Sequence, residues 1–173
     1  KYQGKNKKSM RIIADHLRAA TFAIGDGVVP SNVEAGYIVR RLIRRAVRYG
    51  RHLQIDKPFL SQVAEVAIKQ YGSEYPHLKK ARGKVIREIR TEEERFSQTL
   101  EKGLKEFGKL VAGQEIKKRK IISGKSAFGL YETYGFPLEL TTELASEKKL
   151  KVDESGFAKA EREHQKKSRA SLE

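Results

Sequence analysis

The chain of 173 residues contains no cysteine, which removes disulfides, thiol nucleophiles and every cysteine-based zinc site. Four scattered histidines, His16, His52, His77 and His164, are the only soft ligands left, so no metal site is expected. Long apolar runs are missing as well. No stretch approaches ~18 uninterrupted apolar residues, and the most apolar one, Ile12 to Val29, is broken by Asp15, His16, Arg18 and Asp26. A membrane span is thereby excluded. Lys1 to Arg11 is polar, so no secretory leader is expected there. A reducing, cytoplasmic setting fits a chain without Cys. The chain opens at Lys1 inside a polar run, without an initiator Met, and reads as a piece of a longer protein.

Signatures of catalysis are also lacking. Gly124-Lys125-Ser126 resembles the end of a phosphate-cradling loop, but the glycine that such a loop needs five residues earlier is Arg119. Gly25-x-Gly27 would need a third glycine where Pro30 stands. No Ser, His and Asp fall into an arrangement of nucleophile, base and orienting acid. The acidic triplet Glu92-Glu93-Glu94 reads as a solvated helix face rather than a metal site. No catalytic residue is therefore expected in this segment.

What is present in excess is positive charge. Lys and Arg number 37 against 22 Asp and Glu, for a formal net charge of +15. An excess of this size bears on partners more than on fold, and nucleic acid leads the polyanions it could attract. With glycine counted and tyrosine set aside, about 42% of the residues are apolar, close to the ~45–50% of globular chains, so the chain folds rather than staying disordered.

Helical periodicity dominates, and the fold class expected is all-α, with at most a short extended piece near Ile121-Ile122. Ile12, Ile13, Leu17, Ala20 and Ile24 recur at helical spacing from Ser9 onward, and Gly25-Asp26-Gly27 ends that helix. Ser31 and Glu34 have the spacing of a capping box before a second helix from Val33 to Tyr49, stopped by Gly50. A third runs from Pro58 to about Gln70, with Phe59, Leu60, Val63, Val66, Ala67 and Ile68 inward and Gly72 as its stop. Leu78 to Leu110 keeps its pattern without a proline. As one helix it would be about 50 Å long at ~1.5 Å per residue, with Gly83 and Gly103 as points for a kink. Gly113 to Gly124 reads as a loop containing the basic run Lys117 to Lys120. Helices follow near Lys125–Tyr134, Leu138–Glu147 and from Asp153 to the end. Two subregions are expected, 1–112 and 113–173.

The second helix carries the most information. Six arginines lie between Ala35 and His52 without a single acid. Arg40, Arg44 and Arg48 share one ridge and Arg41 and Arg45 another, while Val39, Leu42-Ile43 and Ala46-Val47 pack inward. Such a row repels itself by roughly a few tenths of a kcal/mol per neighbouring pair unless an anion answers it. Two answers are open: ion pairs with acids on other helices, or phosphate, which the planar guanidinium grips bidentately. Phosphate is the reading favoured for the row. Pro30-Ser31-Asn32, just before it, reads as a helix-capping turn on composition alone. An exposed Asn beside such a row could also test a base edge once phosphate contacts fix the register. The aromatics of Tyr131 to Pro137 read as core rather than stacking platforms.

Three blocks go beyond composition. Arg11-Ile12-Ile13-Ala14-Asp15-His16-Leu17-Arg18-Ala19 is the first. Gly27-Val28-Val29-Pro30-Ser31-Asn32 with Gly36-Tyr37-Ile38-Val39-Arg40-Arg41-Leu42-Ile43-Arg44-Arg45-Ala46 is the second, and Leu130-Tyr131-Glu132-Thr133-Tyr134-Gly135-Phe136-Pro137 the third. In this order and spacing they resemble the alanyl-tRNA synthetase family, and the resemblance runs on through Thr91 to Glu94 and Lys151 to Phe157. It implies the helical tRNA-recognising middle region, between a class II catalytic domain and an editing domain, both partners within one longer chain. ATP and Mg would belong to the first and zinc to the second, leaving no cofactor for these residues. The expected partner is the acceptor stem of tRNA(Ala), positioned for ATP-dependent attachment of alanine. The segment is expected to be inactive alone. In that family an Asn and an Asp read a G·U wobble pair, and they fall on Asn32 and Glu132. Glu132 departs from the family's Asp by one methylene. Arg40, Arg41, Arg44, Arg45 and Arg48 are the expected phosphate contacts. The other readings are a basic helical module that binds nucleic acid without reading it, and a structural spacer whose arginines pair with neighbouring domains.

Overall fold

A computed structural model of the chain describes Gly4 and residues 6–170. The described residues are predominantly helical. Eight helices follow in order: α1 (Asn6–Gly25), α2 (Glu34–His52), α3 (Leu60–Tyr71), α4 (Pro76–Ala112), α5 (Gln114–Arg119), α6 (Gly124–Tyr134), α7 (Leu138–Glu147) and α8 (Glu154–Ala170). Two strands, β1 (Ile121–Ile122) and β2 (Lys151–Val152), pair in parallel with Ile121 opposite Lys151. The chain divides into two compact units, Lys1–Ser97 and Gln98–Glu173. The division falls inside α4, whereas the sequence suggested a boundary after residue 112. A helix that contributes side chains to both units shows no change of composition where it passes between them.

In the first unit α1 packs against α2 and α3. Ile13, Leu17, Ala20 and Ile24 of α1 are buried together with Val39, Ile43 and Val47 of α2, Leu60, Ala64 and Ile68 of α3, and Val85, Ile89 and Phe96 of α4. These are the three- and four-residue spacings of a helix that hides one stripe. Val66 is the exception: expected inward, it is 63% exposed. Gly50 does not stop α2, which continues to His52. A Cβ at this position would press into the ring of Phe59, so the glycine serves a close approach rather than a helix end.

The second unit is built around α6, which packs against α8 and α7. Phe128, Tyr131 and Phe157 meet ring to ring there, with centroids 5.7–5.9 Å apart. Gly135 ends α6 at φ +66, the left-handed conformation that glycine adopts without a Cβ clash. That turn sends Phe136 into the core against Gly103 of α4. Of the aromatics in the Tyr131–Pro137 segment, Phe136 is buried and Tyr131 packs against Phe128 and Phe157, as composition suggested, whereas Tyr134 is half-buried. α4 is 37 residues long and unbroken through Gly83 and Gly103. The expected loop at 113–124 contains the short α5, and β1 has a partner in β2 that the sequence did not disclose. The expected run of the last helix to the chain end falls on residues 171–173, outside the described residues.

Candidate nucleic-acid interface

The turn that carries Asn32 is set by small groups. Gly27 at φ +108 leaves α1, and Val28 to Ser31 run on without regular structure toward α2. Ser31 Oγ donates to the Val33 carbonyl at 3.0 Å and accepts from the Val33 N–H at 3.3 Å. The expected capping box is not made: Val33 holds the N-cap position without a side-chain cap, and Glu34 takes a positive φ of 50. Ser31 bonds its own turn because Gly36 lets the turn fold back over the start of α2. A Cβ at Gly36 would collide with Ser31 Oγ and the Val29 carbonyl. Asn32 is left exposed, and its Oδ1 accepts from Nη1 of Arg40.

The arginine row of α2 divides by burial. Arg44 is 5% exposed and Arg48 2%, which removes both from the expected set of phosphate contacts. Arg44 donates to Glu92 Oε1 at 2.5 Å and lies over the Phe96 ring at 5.1 Å. Arg48 lies over Tyr49 at 5.4 Å. Arg40 donates its Nε to the same Glu92 oxygen at 3.0 Å. Arg45 meets His16 Nε2 at 3.0 Å. A guanidinium can only donate, so His16 Nε2 is the acceptor of that contact. Arg41 is half-buried. The row is answered by an acid of α4, which favours the ion-pair reading for Arg40 and Arg44.

The acidic triplet is correspondingly not a solvated face. Glu92 is 4% exposed and Glu93 2%. Glu93 accepts the backbone N–H of Phe59 at 2.9 Å and of Leu60 at 3.1 Å, satisfying the first donors of α3, whose own N-cap residue supplies no side-chain acceptor. Burial pushes the Glu93 carboxyl above its ordinary value, and the two backbone N–H groups pull it part of the way back. The signal was present in the sequence. Positions 92 and 93 lie three and four residues after Ile89 and before Phe96, on the buried stripe itself.

Glu132 lies exposed on α6. Its Oε1 is 2.8 Å from Nδ1 of His164 on α8, with both side chains about half exposed. Sequence reading missed His164 because its partner lies on another helix. The second unit also gathers cations around its strand pair. The Lys120 carbonyl accepts the Lys151 N–H at 2.9 Å, which brings Lys120 beside Lys151; Lys118 and Arg119 lead into the first strand and Lys148 and Lys149 precede the second, all exposed. Lys120 and Lys149 hold positive φ values of 58 and 57 at the two tight turns. Lys117, part of the expected basic run, has no described side chain. Among the described residues, no three His, Cys, Asp or Glu side chains are grouped to hold a metal ion. No described helix is long and apolar enough to cross a membrane.

Comparison with known proteins places these motifs. The model of the family described as tRNA synthetases class II (A) matches residues 1–173. The chain belongs to the class II (A) tRNA synthetase family. Within it, the chain is 47% identical to an alanine–tRNA ligase of Pelotomaculum thermopropionicum over 96% of its own length and 19% of the relative. It is 51% identical to an alanine–tRNA ligase of Desulforudis audaxviator over 94% of its length and 18% of that relative. For the alanine–tRNA ligase of Thermus thermophilus the figures are 46%, 99% and 19%. The chain thus spans about one fifth of the length of these relatives. The family match counts these residues within the class II synthetase family itself and does not set them apart from its catalytic module.

Proposed function

We propose that the chain is the helical, tRNA-recognising part of an alanine–tRNA ligase. It holds the acceptor stem of tRNA(Ala) while ATP-dependent alanine attachment proceeds on residues outside this segment, where ATP and Mg act; zinc belongs to an editing domain further on. In this reading Asn32 and Glu132 test the G·U wobble pair. Wobble geometry leaves the guanine exocyclic amine unpaired, and the wide, shallow minor groove of A-form RNA admits polar side chains.

The observation that carries the reading is Asn32 itself, exposed at a turn that Gly36 and Ser31 hold in place, within a sequence 46–51% identical to three alanine–tRNA ligases. The exposed cations around β1 and β2 support it, because phosphate contacts supply affinity and register while base contacts supply specificity. They take the role first expected of Arg44 and Arg48. Arg41 and Arg45 keep theirs in this reading, and Arg40 serves Asn32.

A titration of the chain with acceptor-stem duplexes differing only at the wobble pair tests the proposal. Tighter binding to G·U than to G·C supports it. Equal, salt-sensitive binding to both favours a basic module that does not read sequence, and absence of binding favours a structural role.

A further inference from the structure

We propose that Arg40 is a positioning residue that fixes which end of the Asn32 amide faces the RNA, so that Asn32 presents an N–H donor and reads a hydrogen-bond acceptor. The inference rests on the reading of Asn32 as a base reader. An asparagine amide has one accepting and one donating end of nearly equal shape, and its hydrogen-bond partners decide which way it points. Arg40 settles the matter, because a guanidinium carries donors only. Its Nη1 can meet Asn32 through Oδ1 alone. The Nδ2 amine is then the polar group of the amide left for a ligand.

The grip on Asn32 is anchored in the core. The same guanidinium donates its Nε to Glu92 at 3.0 Å, and the buried Glu92 is held in turn by Arg44 at 2.5 Å. A continuous path therefore runs from Phe96, through Arg44, Glu92 and Arg40, to an exposed amide. A planar fork serves two acceptors in different directions; a lysine ammonium on a flexible stem does not reproduce that geometry. The consequence for recognition is specific. The guanine amine of a G·U pair is a donor, which a donor cannot meet. Guanine N3 is an acceptor that G·C presents as well, whereas wobble geometry displaces uracil O2 from the place of cytosine O2, so uracil O2 is the match for Nδ2 that separates the two pairs.

The test measures binding of the chain, and of its Asn32→Ala, Arg40→Ala, Arg40→Lys and double Arg40→Ala/Asn32→Ala variants, to stems carrying G·U, G·C, inosine·U, 3-deazaguanosine·U or G·2-thiouridine. Asn32→Ala is expected to reduce the preference for G·U over G·C by roughly 5- to 150-fold, the range of one good base contact. Arg40→Ala should lose a similar factor, Arg40→Lys should fail to restore it, and the double variant should lose no more than Asn32→Ala alone. The difference between the unsubstituted chain and Asn32→Ala should vanish on G·2-thiouridine and persist on 3-deazaguanosine·U and inosine·U, arms that need no substitution at Arg40. Two results overturn the proposal while leaving Asn32 a reader: an Arg40→Ala variant with full preference, or a contribution of Asn32 that vanishes on inosine·U. An Asn32→Ala variant with full preference removes the underlying reading itself.

Discussion

Glu92 accepts a hydrogen bond from Arg44 at 2.5 Å although the two residues lie on different helices and both are buried. The acid that answers Arg40 and Arg44 stands on α4, so part of the row that looked unpaired along its own helix is paired within its own unit. A buried pair of this kind is costly to break because the remaining charge has no water to turn to.

Loss of one partner should therefore cost more than loss of both. Glu92→Ala is expected to destabilise the first unit by about 3–5 kcal/mol, and the combined Glu92→Leu/Arg44→Leu variant by clearly less. Urea unfolding of the chain and the two variants reads the difference. Equal or smaller loss in the single variant contradicts the pairing.

Glu93 gives a pH dependence of defined sign. Its carboxyl is raised above its ordinary value of 4.5, first by burial, so the folded chain binds this proton more readily than the unfolded one. Its contribution to stability is full below the unfolded value and is lost as pH rises through the folded one. Glu93→Gln keeps an acceptor for Phe59 and Leu60 and should abolish that decline. Glu93→Ala removes the acceptor and should cost ~1–3 kcal/mol at every pH, the penalty for buried donors left unmet. Denaturation midpoints from pH 4 upward check both; a midpoint profile shared by the unsubstituted chain and Glu93→Gln contradicts the assignment.

Much of this architecture was legible and some was not, for identifiable reasons. The stripe Ile13, Leu17, Ala20 and Ile24 announced α1, and the unbroken pattern around Val85, Ile89, Phe96 and Leu100 announced α4, because burying one helical face leaves a period that survives in the sequence. Arg44 misled because charge was weighed along one helix, whereas its partner is contributed by tertiary packing. The pairing of β1 with β2 left no sequence trace, since a two-residue strand is too short to show alternation. The exposure of Asn32 followed from its place in a turn, but its hydrogen bond with Arg40 depends on a turn and a helix meeting in three dimensions.

Close packing in the second unit offers a steric test. A Cβ on Gly124 would overlap the backbone at Gly156 and Phe157, where no side chain can swing aside. Gly124→Ala should destabilise that unit by ~1–3 kcal/mol, as overpacking does. Gly129→Ala, which faces open space, is the control. Similar thermal midpoints for the two variants contradict the close approach of α6 to α8.

Salt dependence separates surface cations from buried ones. Substituting Lys120, Lys149 or Lys151 by Gln should make the plot of log K against log salt shallower by somewhat under one unit for each phosphate no longer neutralised. Arg44→Ala should leave that slope unchanged while reducing stability. The opposite pattern returns the phosphate role to the α2 row.

The central claim is that an exposed asparagine reads the acceptor stem, and its most direct measurement is the ratio of affinities for G·U and G·C stems in the chain and in Asn32→Ala. The account predicts a preference for G·U that falls by ~1–3 kcal/mol in the variant, with DNA base contacts as the scale. An unchanged ratio, or an equal loss of affinity for both stems, contradicts it.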